Sequence, residues 1–109
     1  MRGWEVEHAC GAPPLALRIE LGGASFAYSR DTQWTPVLAE AARGADLLAV
    51  EAYTFDRPIR YHLDYQTLHA HVGDLQADRI VLTHMSAAML GRLTDAELPA
   101  AYDGMTVDL

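Results

Sequence analysis

A chain of 109 residues has room for one domain with a modest hydrophobic core. Eight basic and fifteen acidic side chains give a net charge of −7, which argues against the broad cationic surface that tracks a nucleic-acid backbone. A small anionic substrate held by a metal is compatible with that charge. The single cysteine, Cys10, excludes an internal disulfide, and the sequence shows neither a signal peptide nor an apolar stretch of membrane-spanning length. We therefore expect a cytoplasmic protein without a membrane partner.

The first elements are predicted to form a β-hairpin. Residues 15–21 are apolar at alternate positions, which is the period of a half-buried strand. Gly22 and Gly23 follow, and two residues that tolerate positive φ are typical of a tight hairpin turn. Residues 25–29 are predicted to return as the partner strand, which delivers Asp31 to one edge of a sheet.

A helix and a buried strand are predicted next. Thr35 suits the N-cap and Pro36 the first helical position, so we expect a helix over residues 36–43. Gly44 is placed to end this helix in a left-handed conformation. Residues 46–50 form a short, largely apolar run, which is typical of a strand covered on both faces.

The second half continues the alternation of helix and strand. Asp64 is a predicted N-cap for a helix over residues 65–73. The buried side of this helix is predicted to carry Tyr65, Leu68, His69, Val72 and Leu75. A strand over residues 78–83 follows, Ser86 is predicted to cap a short helix, and residues 105–109 are predicted to form a last strand.

This order of elements predicts an α/β layer: a mixed sheet with helices on one face. The strands are apolar on both faces, and the predicted helices can cover only one of them. An uncovered apolar face should bind something or aggregate. The chain therefore looks like half of a sandwich, with apolar strand residues exposed on its open face.

Polar residues stand where three predicted strands end: His8 after residues 4–7, Asp31 after residues 25–29 and His84 after residues 78–83. The carboxyl ends of neighbouring strands are where open α/β sheets build their sites. Two imidazoles and one carboxylate suit a divalent cation such as zinc. Three ligands, however, cannot hold two metal ions.

Three segments, residues 6–8, 26–32 and 83–86, together resemble the C-terminal half of the metallo-β-lactamase fold. The similarity runs from about His8 to Leu109 and is closest to the phosphodiesterase branch, which includes ribonuclease Z and phosphoribosyl cyclic phosphodiesterase. The resemblance implies that residues 1–109 form the C-terminal half of an αββα sandwich.

The resemblance also implies roles for four residues. His8 would be the third ligand of a first metal, Asp31 would bridge two metals, and His84 would complete the second. His62 corresponds to a family histidine that donates a proton to the leaving oxygen. Two zinc ions, with manganese as the alternative, would activate a bridging water for attack on a phosphodiester.

The sequence departs from the family pattern in two places. Arg30 stands where the family usually has a glycine before the bridging aspartate. The first metal motif of the family, H-x-H-x-D-H, occurs nowhere in the sequence and belongs to the N-terminal half. We therefore expect a fragment, a truncated gene product or one chain of a two-chain enzyme, inactive by itself.

Each candidate residue also has a plainer interpretation. His84 could be a structural hydrogen-bonding residue, Asp31 could close an Asx-turn, and His62 could pack or cap a helix. Glu51 and Asp64 are interpreted as surface acids rather than partners of the site. Outside the site, His69 is predicted to pack on the apolar side of its helix and His71 to be solvated. The order of the motifs favours the ligand interpretation of His8, Asp31 and His84.

Three functions follow from these residues. The first is a metal-dependent hydrolase acting on a small cyclic or linear phosphodiester, which the charge favours over transfer RNA. The second is a non-catalytic α/β module that binds a protein partner through its open sheet face. The third is a lactonase or thioesterase on the same scaffold. In the first case the expected partners are the substrate and the N-terminal half of the fold or a second copy of the chain.

Overall fold

A five-stranded mixed sheet forms the centre of the protein, which is described by a computed structural model over residues 2–5, 15–29, 32–102 and 105. The strands lie in the order β1-β2-β3-β4-β5. The antiparallel pairs are β1–β2 and β2–β3, and the parallel pairs are β3–β4 and β4–β5. Their bounds are Arg2–Glu5, Leu15–Leu21, Ala24–Tyr28, Leu47–Glu51 and Ile80–Thr83. The predicted α/β architecture with a mixed sheet is therefore confirmed.

The predicted hairpin between β2 and β3 is confirmed. Gly22 and Gly23 have φ angles of 60° and 84°, a pair of positive values that matches the twist of the flanking strands. Leu21 pairs with Ala24 directly across this turn. The turn therefore sets the register that carries β3 towards the site at its other end.

The helix α1 (Val37–Ala42) begins differently from the prediction. Pro36 itself occupies the N-cap position, and the hydroxyl of Thr35 receives only a long contact of 3.4 Å from the amide of Val37. The carbonyl of Thr35 instead accepts from the amide of Leu38 at 3.0 Å. Gly44 follows the helix with a φ of 69°, as predicted.

The caps of α2 (Tyr65–Ala70) and α3 (Ala87–Leu90) are confirmed. The carboxylate of Asp64 accepts from the amide of Thr67 at 2.9 Å, and its side chain is buried rather than a surface acid. The hydroxyl of Ser86 accepts from the amide of Met89 at 3.2 Å. The predicted helix over 65–73 is divided, because a 3₁₀ turn covers Val72–Asp74, and a second one covers Leu93–Asp95.

The prediction for His69 is wrong, and that for His71 is confirmed only in part, because its side chain is 36% exposed. His69 is exposed, and its Nε2 atom lies 2.9 Å from a carboxylate oxygen of Glu97. His71 is half-buried and stacks on Trp34 with ring centroids 3.9 Å apart. Each imidazole contacts a residue outside α2, Glu97 or Trp34. Helical periodicity does not predict such contacts.

The three helices contribute to the core on one face of the sheet, as predicted. The largest fully buried apolar side chains of this core are Leu38, Leu48, Leu63, Leu68, Leu82 and Met89. No helix in the described part of the chain is long and apolar enough to cross a membrane.

The second face of the sheet is covered at its centre, so the prediction of exposed apolar strand residues holds only towards β2, where Ile19, opposite Phe26, is 42% exposed. Leu47, Ala49 and Val81 lie at its centre and are only 7–8% exposed. The residues packed against them are Phe26, Tyr28, Ala101 and Met105. The chain after α3 returns beside β5, since Leu82 and Ala100 form a parallel bridge. Apart from Met105, the predicted strand over 105–109 lies outside the described residues.

Anchoring of α3 through Met89 is testable. Met89 is fully buried whereas Leu90, its neighbour in the same helix, is 52% exposed. We expect Met89→Ala to lower the free energy of unfolding by about 2–5 kcal/mol and Leu90→Ala to change it by less than about 0.5 kcal/mol. Urea denaturation measures both, and equal losses would contradict the assigned packing.

Candidate functional site

A carboxylate and two imidazoles meet at the carboxyl edge of the parallel strands. Glu51 ends β4, His84 follows β5, and His62 lies in the loop between β4 and α2. Glu51 pairs in register with Thr83, so Glu51 and His84 leave the sheet at the same edge. One donor atom from each of Glu51, His62 and His84 lies within 4.8 Å of the others.

Glu51 is the buried centre of this group. Its side chain is 0% exposed. One carboxylate oxygen, Oε2, accepts from the amides of Thr32 at 2.7 Å and Leu63 at 3.3 Å. The other oxygen, Oε1, lies 2.5 Å from Nδ1 of His62. Glu51 is therefore an internal anchor, and its interpretation as a surface acid is wrong.

Burial raises the pKa of Glu51 above its usual value. The carboxylate loses hydration inside the protein, which disfavours its charged form. The amide of Thr32, the ring of His62 and the amide of Leu63 act in the opposite direction and offset part of this effect. The balance leaves a carboxyl that holds its proton to higher pH than an exposed glutamate does.

His84 occupies an uncommon backbone conformation for a residue with a side chain. Its φ angle is 49°, in the left-handed region that favours glycine. On one side of it, the carbonyl of Thr83 accepts from the amide of Ala52 at 3.0 Å; on the other, the amide of Ser86 donates to the carbonyl of Tyr53 at 2.8 Å. These two hydrogen bonds hold the turn that brings the imidazole of His84 to the site, where it is 39% exposed.

Two clefts border the loop that carries His62. The first has a volume of about 310 Å³ and is lined in part by His62, Trp34 and Arg60. The second has a volume of about 370 Å³ and is lined in part by Tyr53 and Arg57. Both arginines are exposed, so each cleft has a cation at its rim.

The structure brings together two of the four sequence-predicted site residues, His62 and His84. His8 and Asp31 lie outside the described residues, as does Arg30. Their predicted roles as ligands therefore remain predictions.

Glu51 is the site residue that sequence reasoning missed. The signal was available, because Glu51 ends a buried strand at the same edge as the predicted site. Its burial depends on hydrogen-bond donors from Thr32, His62 and Leu63. These residues are distant in sequence, so no local sequence pattern predicts their contact with Glu51.

The donor chemistry fits a divalent metal at His84 better than one ion shared by all three residues. Tetrahedral zinc with bonds of about 2.0–2.2 Å keeps its ligands about 3.3 Å or more apart. The 2.5 Å between Glu51 and His62 is instead a hydrogen-bond distance. Nε2 of His84 lies 3.8 Å from Oε1 of Glu51, beyond hydrogen-bond distance, so this contact does not prevent the imidazole from binding an ion.

The hydroxyl of Thr83, just before His84, adds a second observation. This oxygen is buried and makes no hydrogen bond within the part of the chain that the structure describes. Buried polar groups normally have a hydrogen-bond partner, so this hydroxyl marks a position beside His84 where a further polar group could bind.

Comparison with known proteins assigns the family. Residues 2–85 match the beta-lactamase superfamily domain, and because this is more than half of the sequence, the chain belongs to that family. No curated protein sequence gives a significant match.

Two solved structures share the fold. The metallo-beta-lactamase fold protein YhfI from Bacillus subtilis has a TM-score of 0.76 and 18% identity over 94% of this chain and 47% of its own. Zn(2+)-bound PqqB from Methylobacterium extorquens has a TM-score of 0.70 and 20% identity over 91% of this chain and 45% of its own. The chain thus spans about half the length of each. These matches confirm the metallo-β-lactamase fold, while the phosphodiesterase branch remains a prediction.

The raised pKa of Glu51 predicts a pH dependence of stability. Between the usual value of 4.5 and the raised pKa, the folded state binds more protons than the unfolded state. The free energy of unfolding should therefore decrease as pH rises through this range, and Glu51→Gln should abolish that part of the decrease. Urea denaturation of both proteins from pH 4.5 upwards measures it.

Glu40→Gln, at an exposed position of α1, is the matched control for removing one carboxyl group. A constant difference between wild type and Glu51→Gln across the whole pH range would contradict the assignment.

Proposed function

We propose that this chain forms part of a metal-dependent hydrolase that cleaves a small phosphodiester. His62 is the proton donor, Glu51 orients it, and His84 is a metal ligand. The observation that carries the proposal is the contact of the buried Glu51 carboxylate with Nδ1 of His62, beside the imidazole of His84.

The contact with Glu51 gives the two ring nitrogens of His62 different roles. Nδ1 is engaged by a carboxylate that cannot rotate away, because two backbone amides hold its other oxygen. We assign proton transfer to a substrate to Nε2. The His62 side chain is 22% exposed, so it can reach a bound substrate from the edge of the site. A positioned general acid of this kind typically contributes a factor of about 10²–10⁴ in rate.

His84 supplies an imidazole for a divalent metal, with His8 and Asp31 as the further ligands implied by the family resemblance. A bound metal would activate a water molecule for attack. Zinc is our first choice because the donors are imidazole and carboxylate groups, and manganese is the alternative. We propose that the missing ligands lie in a segment with the H-x-H-x-D-H motif, because the chain spans about half of each structural neighbour.

The distribution of charge supports an anionic substrate rather than a neutral lactone or thioester. All eight basic residues are arginines, in a chain with a net charge of −7. Two of them, Arg57 and Arg60, lie in the loop that carries His62, and each lines one of the clefts beside it. Guanidinium groups bind phosphate oxygens with two parallel hydrogen bonds. Two such groups suit a small phosphodiester and fall short of the basic surface that a long RNA requires.

Metal binding by the chain alone should be weak. The proposed ligands are too few for two ions, so we expect weak binding of zinc or manganese and little hydrolysis. His84→Ala should weaken zinc binding further, whereas His69→Ala, which removes an exposed imidazole paired with Glu97, should leave it unchanged. Competition with a chromophoric chelator measures the affinities. Tight binding of two ions by the isolated chain would contradict this prediction.

The role of His62 predicts a dependence on the leaving group. With the H-x-H-x-D-H segment supplied, His62→Ala should lower kcat about 10²–10⁴-fold for a diester with an alkoxide leaving group. It should affect bis(p-nitrophenyl) phosphate far less, because p-nitrophenolate departs without a proton. His69→Ala is the matched control. Equal losses on both diesters would exclude His62 as the acid, and faster turnover of a neutral lactone would refute the phosphodiesterase assignment.

A further inference from the structure

Tyr53 contacts both histidines of the site through its ring. Its ring centroid lies 4.4 Å from that of His62 and 5.3 Å from that of His84, with interplanar angles of 26° and 22°. The two imidazoles are themselves 5.5 Å apart and inclined by 15°. If they sandwiched the phenol ring, they would be separated by nearly the sum of the two stacking distances. The two imidazoles therefore do not sandwich the phenol ring.

The main chain of Tyr53 binds the segments that carry the same two histidines. Its amide donates to the carbonyl of Leu63, the residue after His62, at 2.8 Å. Its carbonyl accepts from the amide of Ser86, two residues after His84, at 2.8 Å. One residue thus contacts both histidine segments through its main chain and both imidazoles through its ring.

Both histidine segments contain a residue that needs such support. His84 has a φ of 49°, and Tyr61, just before His62, has a φ of 67°. Left-handed backbone at a residue with a side chain costs about 1–3 kcal/mol and persists only where the surroundings enforce it. The hydrogen bonds of Tyr53 lie within two residues of each strained position.

We propose that Tyr53 is a positioning residue, whose ring and main chain together hold the imidazoles of His62 and His84 in one fixed relative orientation. Glu51 cannot do this for both rings, because its Oε1 atom is 2.5 Å from His62 but 3.8 Å from His84. The ring face does the positioning, so phenylalanine should replace tyrosine and an aliphatic side chain should not. The inference rests on the proposed function only where it concerns metal affinity.

The first readout is the NMR spectrum of the imidazoles in the metal-free chain. An aromatic ring current changes the resonance of nearby protons, so Tyr53→Leu should change the chemical shifts of the carbon-bound ring protons of His62 and His84, whose ring centroids lie 4.4 and 5.3 Å from that of Tyr53. Tyr53→Phe should leave them close to their wild-type positions. Tyr102→Leu, at a residue that is 69% exposed, is the matched control.

The second readout is zinc affinity, measured by competition with a chromophoric chelator. Groups that orient a metal ligand typically change affinity by about 10–100-fold. We expect a loss of at least about tenfold for Tyr53→Leu, and wild-type affinity for Tyr53→Phe and Tyr102→Leu. If circular dichroism shows that the leucine variant does not fold, Tyr53→Met, whose flexible side chain adapts to the space left by the ring, takes its place.

Unchanged imidazole shifts in the aliphatic variant would overturn the proposal. So would a Tyr53→Phe variant as impaired as Tyr53→Leu, or an aliphatic replacement that never folds while the phenylalanine variant shows altered shifts. If wild type binds no zinc at all, the proposed function fails, and the NMR comparison still decides the role of Tyr53.

Discussion

Burial of the Glu51 carboxylate is the constraint on which the site depends. An ionised carboxylate removed from water is costly unless hydrogen bonds replace its hydration. The replacements come from the amide of Thr32, the amide of Leu63 and the ring of His62. Thr32 follows β3, and the other two lie in the loop before α2. One side chain on β4 therefore fastens two separate loops to the edge of the sheet.

The parallel register of β4 and β5 places the residues that follow the two strands next to each other. Because Glu51 pairs with Thr83, the chain leaving β4 runs beside the chain leaving β5. Ala52 and Tyr53, the next two residues, use this proximity to bind the segments around His84 and His62. Three consecutive residues, Glu51 to Tyr53, thus hold the segments that carry the imidazoles of His62 and His84.

The sequence predicts those features that local chemistry determines. Two adjacent glycines specified the hairpin, and the side chains of Asp64 and Ser86 cap their helices as expected. The failures have a common cause in contacts between distant residues. Glu51 resembles a surface acid until Thr32 and His62 are folded against it, and the burial of Val81 involves the chain that returns near Ala100. Helical periodicity likewise placed His69 inside, although Glu97 binds it at the surface.

Because His84 has a left-handed backbone, the residue that would be most stable at this position differs from the residue that the proposed function needs. Glycine adopts a φ of 49° without steric cost, whereas histidine does not. Selection for stability alone would favour glycine at this position and would erase the imidazole. A histidine that persists there in descendants of this chain would therefore mark continued selection for chemistry, and its replacement by glycine would mark a lineage in which only the fold is still maintained.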